Sequence, residues 1–472
     1  MLFNSIEYFF FLPIVFITYW FVCKNLKTQN WLILLSSYVF YGWWDWKFLS
    51  LILISTIVDY YTGLFINKSK TKKRKKIYLF VSIFFNIGIL AFFKYYNFFI
   101  ESWVDMLNSF GYNPTNTWTL KIILPVGISF YTFQTMSYSL DIYYKKIKPT
   151  RDFISFASFV SFFPQLVAGP IERASNLLPQ ILKKRKFNYK QSVDGLRLLL
   201  YGLFKKIVIA DSLAPFVDNI FSNYQTMDAG SLLLGAIYFS FQIYADFSGY
   251  SDIAIGTAKI LGFEIMSNFK FPYLSRNIGE FWKRWHISLS SWFRDYMYIP
   301  LGGSRVGKVK ALRNIFIIFI VSGFWHGANW TFIAWGVIHA LLYIPLFITK
   351  QNRTYISDVV AQNKIIPTIK EVTQVTTTFI FVCLAFVFFR SESISMGIEY
   401  ITSLFSSSIL SFDNESGIIY CFLLFILDWR NRHNEREFII NNKLIRHIIY
   451  YLIIYLIIYK FSSYQSFIYF QF

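Results

Sequence analysis

The chain has 472 residues, of which 55% are hydrophobic and 22% aromatic, a composition that excludes an ordinary soluble globular protein. Its formal charge is +20, from 46 Lys and Arg against 26 Asp and Glu. The basic residues lie in short loops between apolar runs, where Lys and Arg set membrane topology, so the charge favours a membrane protein over a nucleic-acid-binding one.

Apolar segments recur along the whole chain, and no soluble domain of ordinary size separates them. We therefore predict an all-α polytopic membrane helical bundle that forms a single domain over residues 1–472, with the first apolar segment retained as a span. The candidate segments are residues 8–23, 31–41, 48–66, 77–100, 122–143, 153–171, 192–221, 231–261, 314–348, 376–389, 418–427 and 448–459.

Basic runs between these segments indicate which loops face the cytoplasm. They occupy residues 68–76, 145–151, 183–190, 305–313 and 430–446. Only one apolar segment, residues 153–171, lies between the second and third runs, and it contains Pro164, Gly169 and Pro170. A single span cannot return to the side it left, so this segment is predicted to be re-entrant or interfacial, with neighbouring protein covering its broken backbone.

Residues 314–348 have basic groups at both ends and about 35 apolar residues between them. This pattern predicts a helical hairpin that turns near Gly327, Ala328 and Asn329. At 1.5 Å per residue, His326 would lie about 20 Å from Arg313, inside a hydrocarbon core about 30 Å thick.

His326 is the first candidate catalytic residue, within the sequence VSGFWHGANW at residues 321–330. A polar side chain in a membrane helix is costly and indicates function, although a histidine that merely bonds a neighbouring helix is the alternative. A buried neutral imidazole can accept a proton from an attacking hydroxyl. Asn329, three residues later, is predicted to share its helix face and to donate to an oxyanion.

A second histidine, His286, lies in residues 281–296, where basic and aromatic side chains alternate. Lys283, Arg284 and Arg294 beside tryptophan and tyrosine rings suit a surface for an anionic, ring-bearing cofactor near the cytoplasmic interface. An interfacial amphipathic helix with an aromatic belt explains the same residues equally well. For His286 itself, a catalytic role and a structural role remain open.

Asp246 and Asp252 lie within an otherwise apolar segment, and carboxylates there require partners. Pairing with a buried arginine and a supporting catalytic role are both open for Asp246. The three cysteines show no CxxC spacing, so no metal site is predicted. We find no nucleophile elbow, Walker loop, dinucleotide fingerprint or HExxH helix, which disfavours hydrolase, ATPase and metalloprotease functions.

Several stretches together resemble the membrane-bound O-acyltransferase family, in particular its bacterial alginate O-acetyltransferase branch. They are FYGWWD at residues 40–45, LPVGISFYTFQ at 124–134, FPQLVAGPIER at 163–173, ADFSGYSD at 245–252, FWKRWH at 281–286, YIPLGG at 298–303 and GFWHG at 323–327. The resemblance implies a helical bundle with re-entrant segments around a transmembrane tunnel. It also implies that His326 is the catalytic histidine and His286 a second, supporting one.

The resemblance further implies the donor and partners. Members of this branch use cytoplasmic acetyl-CoA as a substrate and bind no cofactor, and they export the acetyl group, often to a separate extracytoplasmic transferase that acetylates a polysaccharide. Lys283, Arg284 and Arg294 would hold the donor phosphates, and the chain would reside in the bacterial inner (cytoplasmic) membrane.

Three alternatives remain open. The branch that transfers D-alanine to teichoic acids from a carrier-protein thioester is the nearest, although YIPLGG is more similar to the acetylases. A polysaccharide transporter and a scaffold for a cell-envelope complex are the others, and neither needs a reactive histidine.

Overall fold

The structure is a computed structural model that describes residues 1–114, 117–167, 169–355, 358–406, 415–434, 440, 442–461 and 467–468. Ala168 of the FPQLVAGPIER stretch and residues 435–439 and 441 of the last basic run lie outside these ranges. The described residues form α-helices with a few π and 3₁₀ turns and contain no strand. The predicted all-α class is confirmed.

The chain divides into two compact units. The first comprises Met1–Ser192 and Ala258–Ile265, and the second comprises Val193–Thr257 and Met266–Phe472. The helices that begin in the first unit are α1 (Ile6–Ile17), α2 (Leu26–Asp45), α3 (Leu49–Lys68), α4 (Lys72–Leu90), α5 (Tyr96–Ser109), α6 (Ile128–Tyr143), α7 (Phe153–Val160), α8 (Phe163–Leu166), α9 (Ala174–Ile181) and α10 (Tyr189–Leu203).

Among the described residues of the second unit, ten further helices begin. They are α11 (Asp211–Ser222), α12 (Ala229–Ile260), α13 (Ile278–Arg284), α14 (Ile287–Phe293), α15 (Lys308–His326), α16 (Trp330–Ile348), α17 (Ile369–Arg390), α18 (Ile394–Ser406), α19 (Ile418–Asn431) and α20 (Lys443–Lys460).

Five helical runs among the described residues are long and apolar enough to cross a membrane. They are Leu26–Lys68, Lys72–Ser109, Lys308–His326, Trp330–Ile348 and Ile369–Arg390. The first contains α2 and α3, and the second contains α4 and α5. The predicted polytopic membrane architecture is therefore confirmed.

The first unit is polar inside and apolar outside at α4. Phe80 and Phe84 are 64% and 69% exposed, whereas Ser82 and Asn86 on the other side of the helix are buried. Ser82 donates to the buried Asp59 carboxylate of α3, and Asn86 Nδ2 donates to its second oxygen at 2.7 Å. This distribution suits a lipid solvent, because apolar side chains can face the acyl chains while polar ones bond other helices.

The segment predicted to be re-entrant or interfacial contains only short helices. Helix α7 has eight residues and α8 has four, and Pro164 stands in the first turn of α8. Eight residues extend about 12 Å, much less than the hydrocarbon thickness. The segment therefore does not cross a membrane as one helix, as the charge pattern predicted.

In the second unit, α15 and α16 form the predicted hairpin. They pack closely at two glycines, since a Cβ added at Gly323 would lie 2.2 Å from the carbonyl oxygen of Phe332, and one added at Gly336 would lie 2.3 Å from that of Phe319. Only glycine permits this approach of the two backbones. The hairpin thereby fixes the position of His326, the last residue of α15.

Candidate functional site

His326 is 3% exposed and is enclosed by aromatic rings from three helices. Its ring centroid lies 5.0 Å from Trp325, 5.2 Å from Trp335 of α16 and 5.3 Å from Phe389 of α17. These rings bury the imidazole among apolar groups at the end of α15.

His286 lies between α13 and α14 with a left-handed backbone, φ 42° and ψ 55°. This conformation is uncommon for a residue other than glycine and is frequent at functional sites. The side chain is fully buried, and burial lowers its pKa to about 3, so the ring is neutral at neutral pH. Its Nδ1 lies 3.2 Å from Asn268 Oδ1.

The fold brings the two histidines together, although 40 positions separate them in the chain. Their ring centroids are 6.3 Å apart, and Trp325 packs against both. Two imidazoles at this separation form a candidate centre for general acid–base chemistry. Their catalytic assignment stays a prediction.

A cavity of about 900 Å³ lies within the second unit, and its lining includes Ile287, next to His286, and Ser322, one turn before His326, but neither histidine. One face of α15 forms a wall of the cavity, through residues spaced by three or four positions: Lys308, Leu312, Ile315, Phe319 and Ser322. His326 is the next position on that face, since i and i+4 residues are neighbours on a helix. The lining also includes the rings of Trp282, Tyr343 and Phe347.

Five basic side chains also line the cavity: Lys283, Arg294, Lys308, Lys350 and Arg353. Clustered cations of this kind repel one another unless an anion lies between them. Burial lowers the pKa of the Lys283 ammonium, which nearby Arg353 and Arg284 also disfavour. A cavity with an apolar wall and a basic rim suits a ligand that has both an apolar part and phosphates.

Arg284, the third predicted donor-binding residue, forms an ion pair and hydrogen bonds within the protein. Its Nη2 lies 2.8 Å from Glu280 Oε1, and the guanidinium also donates to the carbonyl oxygens of Lys270 and Asp358. Arg276 binds the same Glu280 carboxylate. Within the structure, Arg284 therefore joins elements of the second unit, and it is not among the residues that line the cavity.

The prediction that Asn329 shares a helix face with His326 is wrong. Helix α15 ends at His326, Gly327 is extended, and Asn329 is the N-cap of α16. Its Oδ1 accepts from Thr331 N at 3.0 Å, while its Nδ2 donates to the Glu392 carbonyl oxygen at 3.0 Å. The cap forms because asparagine readily satisfies the free N–H groups that begin a helix.

Asp246 is buried and paired, but with lysine and not with arginine. One carboxylate oxygen lies 3.0 Å from Lys206 Nζ, and the other accepts from Ile468 N at 2.7 Å. Lys206 also binds Asp211 at 2.7 Å. This ion-pair network accounts for the burial of Asp246 without a catalytic role. The role of Asp246 at the active site remains a prediction.

Sequence reasoning missed three residues near the centre. Asn268 bonds His286, and Trp335 packs on His326. His339, also buried, lies 4.7 Å from Trp335 and 5.0 Å from Trp282 between ring centroids. The spacing of four between Trp335 and His339 would have indicated one helix face, whereas nothing local to Asn268 indicates its contact.

Within the described residues there is no group of three or more His, Cys, Asp or Glu side chains that could hold a metal ion. The fold and site together define a multi-pass membrane protein with a buried histidine pair beside a basic, aromatic cavity.

Comparison with known proteins identifies the class of enzyme. The model of the membrane-bound O-acyltransferase family matches residues 33–389. The chain is 38% identical to a probable alginate O-acetylase of Pseudomonas syringae over 86% of this chain and 75% of the relative. It is 34% identical to a peptidoglycan O-acetyltransferase of Helicobacter pylori over 96% and 86%, respectively.

A more distant relative is a teichoic acid D-alanyltransferase of Bacillus subtilis, which is 30% identical over 58% of this chain and 70% of the relative. The family match covers well over half of the chain. The protein belongs to the membrane-bound O-acyltransferase family and is an O-acyltransferase.

Proposed function

We propose that this enzyme takes an acetyl group from acetyl-CoA on the cytoplasmic face of a bacterial cytoplasmic membrane and transfers it across the bilayer for O-acetylation of a cell-surface polysaccharide. A separate extracytoplasmic acetyltransferase receives the group and completes the modification. The protein itself binds no resident cofactor in this scheme, and acetyl-CoA is a substrate.

The single observation that carries the proposal is the continuous face of α15. This face begins at Lys308 on the basic rim of the cavity, passes Ser322, and reaches His326 four residues later. From Lys308 to His326 the helix rises about 27 Å. The length allows a donor to place its phosphates at the rim while its thioester approaches the histidine.

His326 acts as the general base in this mechanism. It removes the proton from the acceptor hydroxyl while that oxygen attacks the thioester carbonyl carbon. The tetrahedral intermediate collapses, the carbon–sulfur bond breaks, and the departing thiolate takes the proton from the imidazolium. His286 supports the reaction, with its ring centroid 6.3 Å from that of His326.

The named relatives support the acetyl and polysaccharide assignments. Alginate O-acetylases and a peptidoglycan O-acetyltransferase match most of this chain, whereas the D-alanyltransferase matches 58% of it at lower identity. The YIPLGG stretch at residues 298–303 adjoins the cavity through Tyr298. D-alanyl transfer from a carrier-protein thioester is the second candidate, since it requires the same base and a similar basic entrance.

The test compares wild-type protein with His326→Ala and His433→Ala, each purified and supplied with radiolabelled acetyl-CoA. Loss of one general base typically lowers the rate by about 10²- to 10⁴-fold, so His326→Ala should lose nearly all transfer. His433 is exposed and distant in sequence, so its variant should retain wild-type activity.

Equal activity of a folded His326→Ala variant would overturn the catalytic assignment. Transfer from a D-alanyl carrier protein, but not from acetyl-CoA, would favour the second candidate.

A further inference from the structure

Asn268 contacts the side chain of His286 and the backbone of the next residue, Ile287. We propose that Asn268 is a positioning residue of the acyl-transfer centre: it fixes His286 as the Nδ1–H tautomer and leaves Nε2 as a hydrogen-bond acceptor beside His326. The inference rests on the proposed function of the histidine pair, but its principal measurement does not depend on activity.

The orientation of the Asn268 amide follows from its neighbours. Its Oδ1 faces His286 Nδ1 at 3.2 Å, Ser288 Oγ at 2.7 Å and the backbone N of Ser288 at 3.4 Å. A backbone N–H can only donate, so the atom that faces it must be the oxygen. On the other side, Asn268 Nδ2 donates to Ser251 Oγ of α12 at 3.1 Å.

This orientation determines the tautomer of His286. An amide oxygen can only accept, so His286 Nδ1 must carry the hydrogen that it donates to Asn268. A neutral imidazole has one N–H, and Nε2 therefore has a lone pair. Among the described residues, Nε2 has no hydrogen-bond partner, and the ring is fully buried.

The same residue also fixes the backbone around His286. The carbonyl oxygen of Asn268 accepts from Ile287 N at 2.9 Å, and two residues later Lys270 N donates to the Arg284 carbonyl oxygen at 3.0 Å. These bonds flank the left-handed His286 on both sides. They offset the conformational free energy of its positive φ, which is unfavourable for most residues other than glycine.

A histidine with a fixed tautomer suits a centre that handles protons. If His286 could exchange tautomers, Nε2 would carry a hydrogen in a fraction of the molecules. That N–H would then compete with the acceptor hydroxyl for the lone pair of the His326 imidazole. With Nε2 held as an acceptor, it can bind the N–H of His326 or the hydroxyl of the substrate and align either one.

The experiment is nitrogen NMR of the full-length protein labelled with ¹⁵N-histidine, in lipid or detergent at neutral pH. His286→Gln identifies the signals that belong to His286. We expect the wild-type ring to be protonated at Nδ1 and unprotonated at Nε2. Protonation at Nε2 in the wild type, or an unchanged Nδ1–H tautomer in Asn268→Ala, would overturn the proposal.

Kinetics supply the second readout. Asn268→Ala should lower kcat for acetyl transfer by about tenfold or more with KM for acetyl-CoA little changed, because loss of a residue that sets a histidine tautomer mainly affects the chemical step. Asn268→Asp keeps an oxygen that accepts from Nδ1–H and should retain more activity than Asn268→Ala. Equal losses in the two variants would contradict the tautomer role.

Asn30→Ala is the matched control. Asn30 is also a buried asparagine, and its Nδ2 donates to Ser155 Oγ and the Ile181 carbonyl oxygen in the first unit. Its loss should affect stability without altering the His286 signals. An active His326→Ala variant would instead refute the proposed function, and the tautomer measurement would still decide the role of Asn268.

Discussion

At the scale of residues, the adjacent basic side chains of Lys283 and Arg284 in α13 make different contacts. Lys283 faces the cavity and donates to the Tyr355 carbonyl oxygen at 3.3 Å, while the adjacent Arg284 binds Glu280. Adjacent residues on a helix point about 100° apart, which separates the two. A donor phosphate is thus expected to meet Lys283 and Arg294 before Arg284.

The lowered pKa of Lys283 leads to a pH-dependent prediction. Because burial favours the neutral amine, Lys283 loses its proton at a lower pH than an ordinary lysine, whose pKa is about 10.4. KM for acetyl-CoA should therefore rise as the pH increases through the alkaline range. Steady-state kinetics at a series of pH values measure this effect.

Lys283→Arg is the control for that titration, since arginine stays protonated throughout the range. The variant should show a flatter alkaline dependence of KM than the wild type. An identical rise in both proteins would assign the titration to another group and would remove Lys283 from donor binding.

Asn329 offers a test that separates a structural role from a catalytic one. Asn329→Asp keeps the oxygen that caps α16 but loses the Nδ2 donor, whereas Asn329→Ala loses both. If the residue is only a cap, the Asp variant should keep most activity, while the Ala variant should lose about 1 kcal/mol of stability. Thermal unfolding and acetyl transfer are measured together, and an inactive but stable Asp variant would restore the oxyanion role.

At the scale of elements, the α15–α16 hairpin positions His326. Gly323 and Gly336 permit contact between the two backbones, and Trp335 and Phe389 then close over the imidazole. Because the added Cβ at Gly323 would meet a carbonyl oxygen and not a movable side chain, the clash must displace a helix.

We expect Gly323→Ala to reduce both thermal stability and activity, since overpacking costs about 1–3 kcal/mol. Gly88→Ala is the matched control: Gly88 is also within an apolar helix, and nothing lies within 4 Å of its added Cβ. The control should be neutral or slightly stabilising. Equal unfolding temperatures for the two variants would show that the close contact does not hold the hairpin.

The hairpin was predictable from sequence because charge and length both constrain it. Basic groups end residues 314–348, and the segment is too long for one span. The first helix of the hairpin begins at Lys308, earlier than predicted, because the lysines in its first turn interrupt the apolar pattern. The prediction for Asn329 was wrong because it assumed a continuous helix through residues 326–329, whereas Gly327 ends α15.

Contacts made only in the folded chain were not predictable. Asn268 meets His286 across 18 positions, and Lys350 and Arg353 join Lys283 at the cavity across about 70. Asp246 was expected to need a buried partner, but whether that partner was arginine or Lys206 depends on the packing of α12 against the π turn Phe204–Ala210. Local pattern identifies the residues that need partners, and tertiary structure selects the partners.

At the scale of the whole molecule, the charge is arranged so that the cavity in the second unit lies among basic residues. Lys308 begins α15, and Lys350 and Arg353 follow α16, so both ends of the hairpin are basic. Lys and Arg near membrane helices are retained in the cytoplasm during insertion. Under the proposed function, the rule that sets topology also places cations where a cytoplasmic, phosphate-bearing donor would enter.

The basic residues at both ends of the hairpin predict that the cavity opens to the cytoplasm. In a chain whose three native cysteines are replaced by alanine, Val309→Cys and Gln351→Cys should react with a membrane-impermeant maleimide in inside-out vesicles and not in intact cells. Val309 is 80% exposed, and neither residue lines the cavity.

Lys350→Cys extends the test to the donor, because Lys350 lines the cavity and its neighbour Gln351 does not. Acetyl-CoA should slow labelling at position 350 and leave position 351 unaffected, since bound donor covers the first and not the second. Labelling of positions 309 and 351 from the outside alone would place the basic rim on the wrong face for a cytoplasmic thioester. Cytoplasmic labelling without protection by acetyl-CoA would keep the topology and exclude this cavity as the donor site.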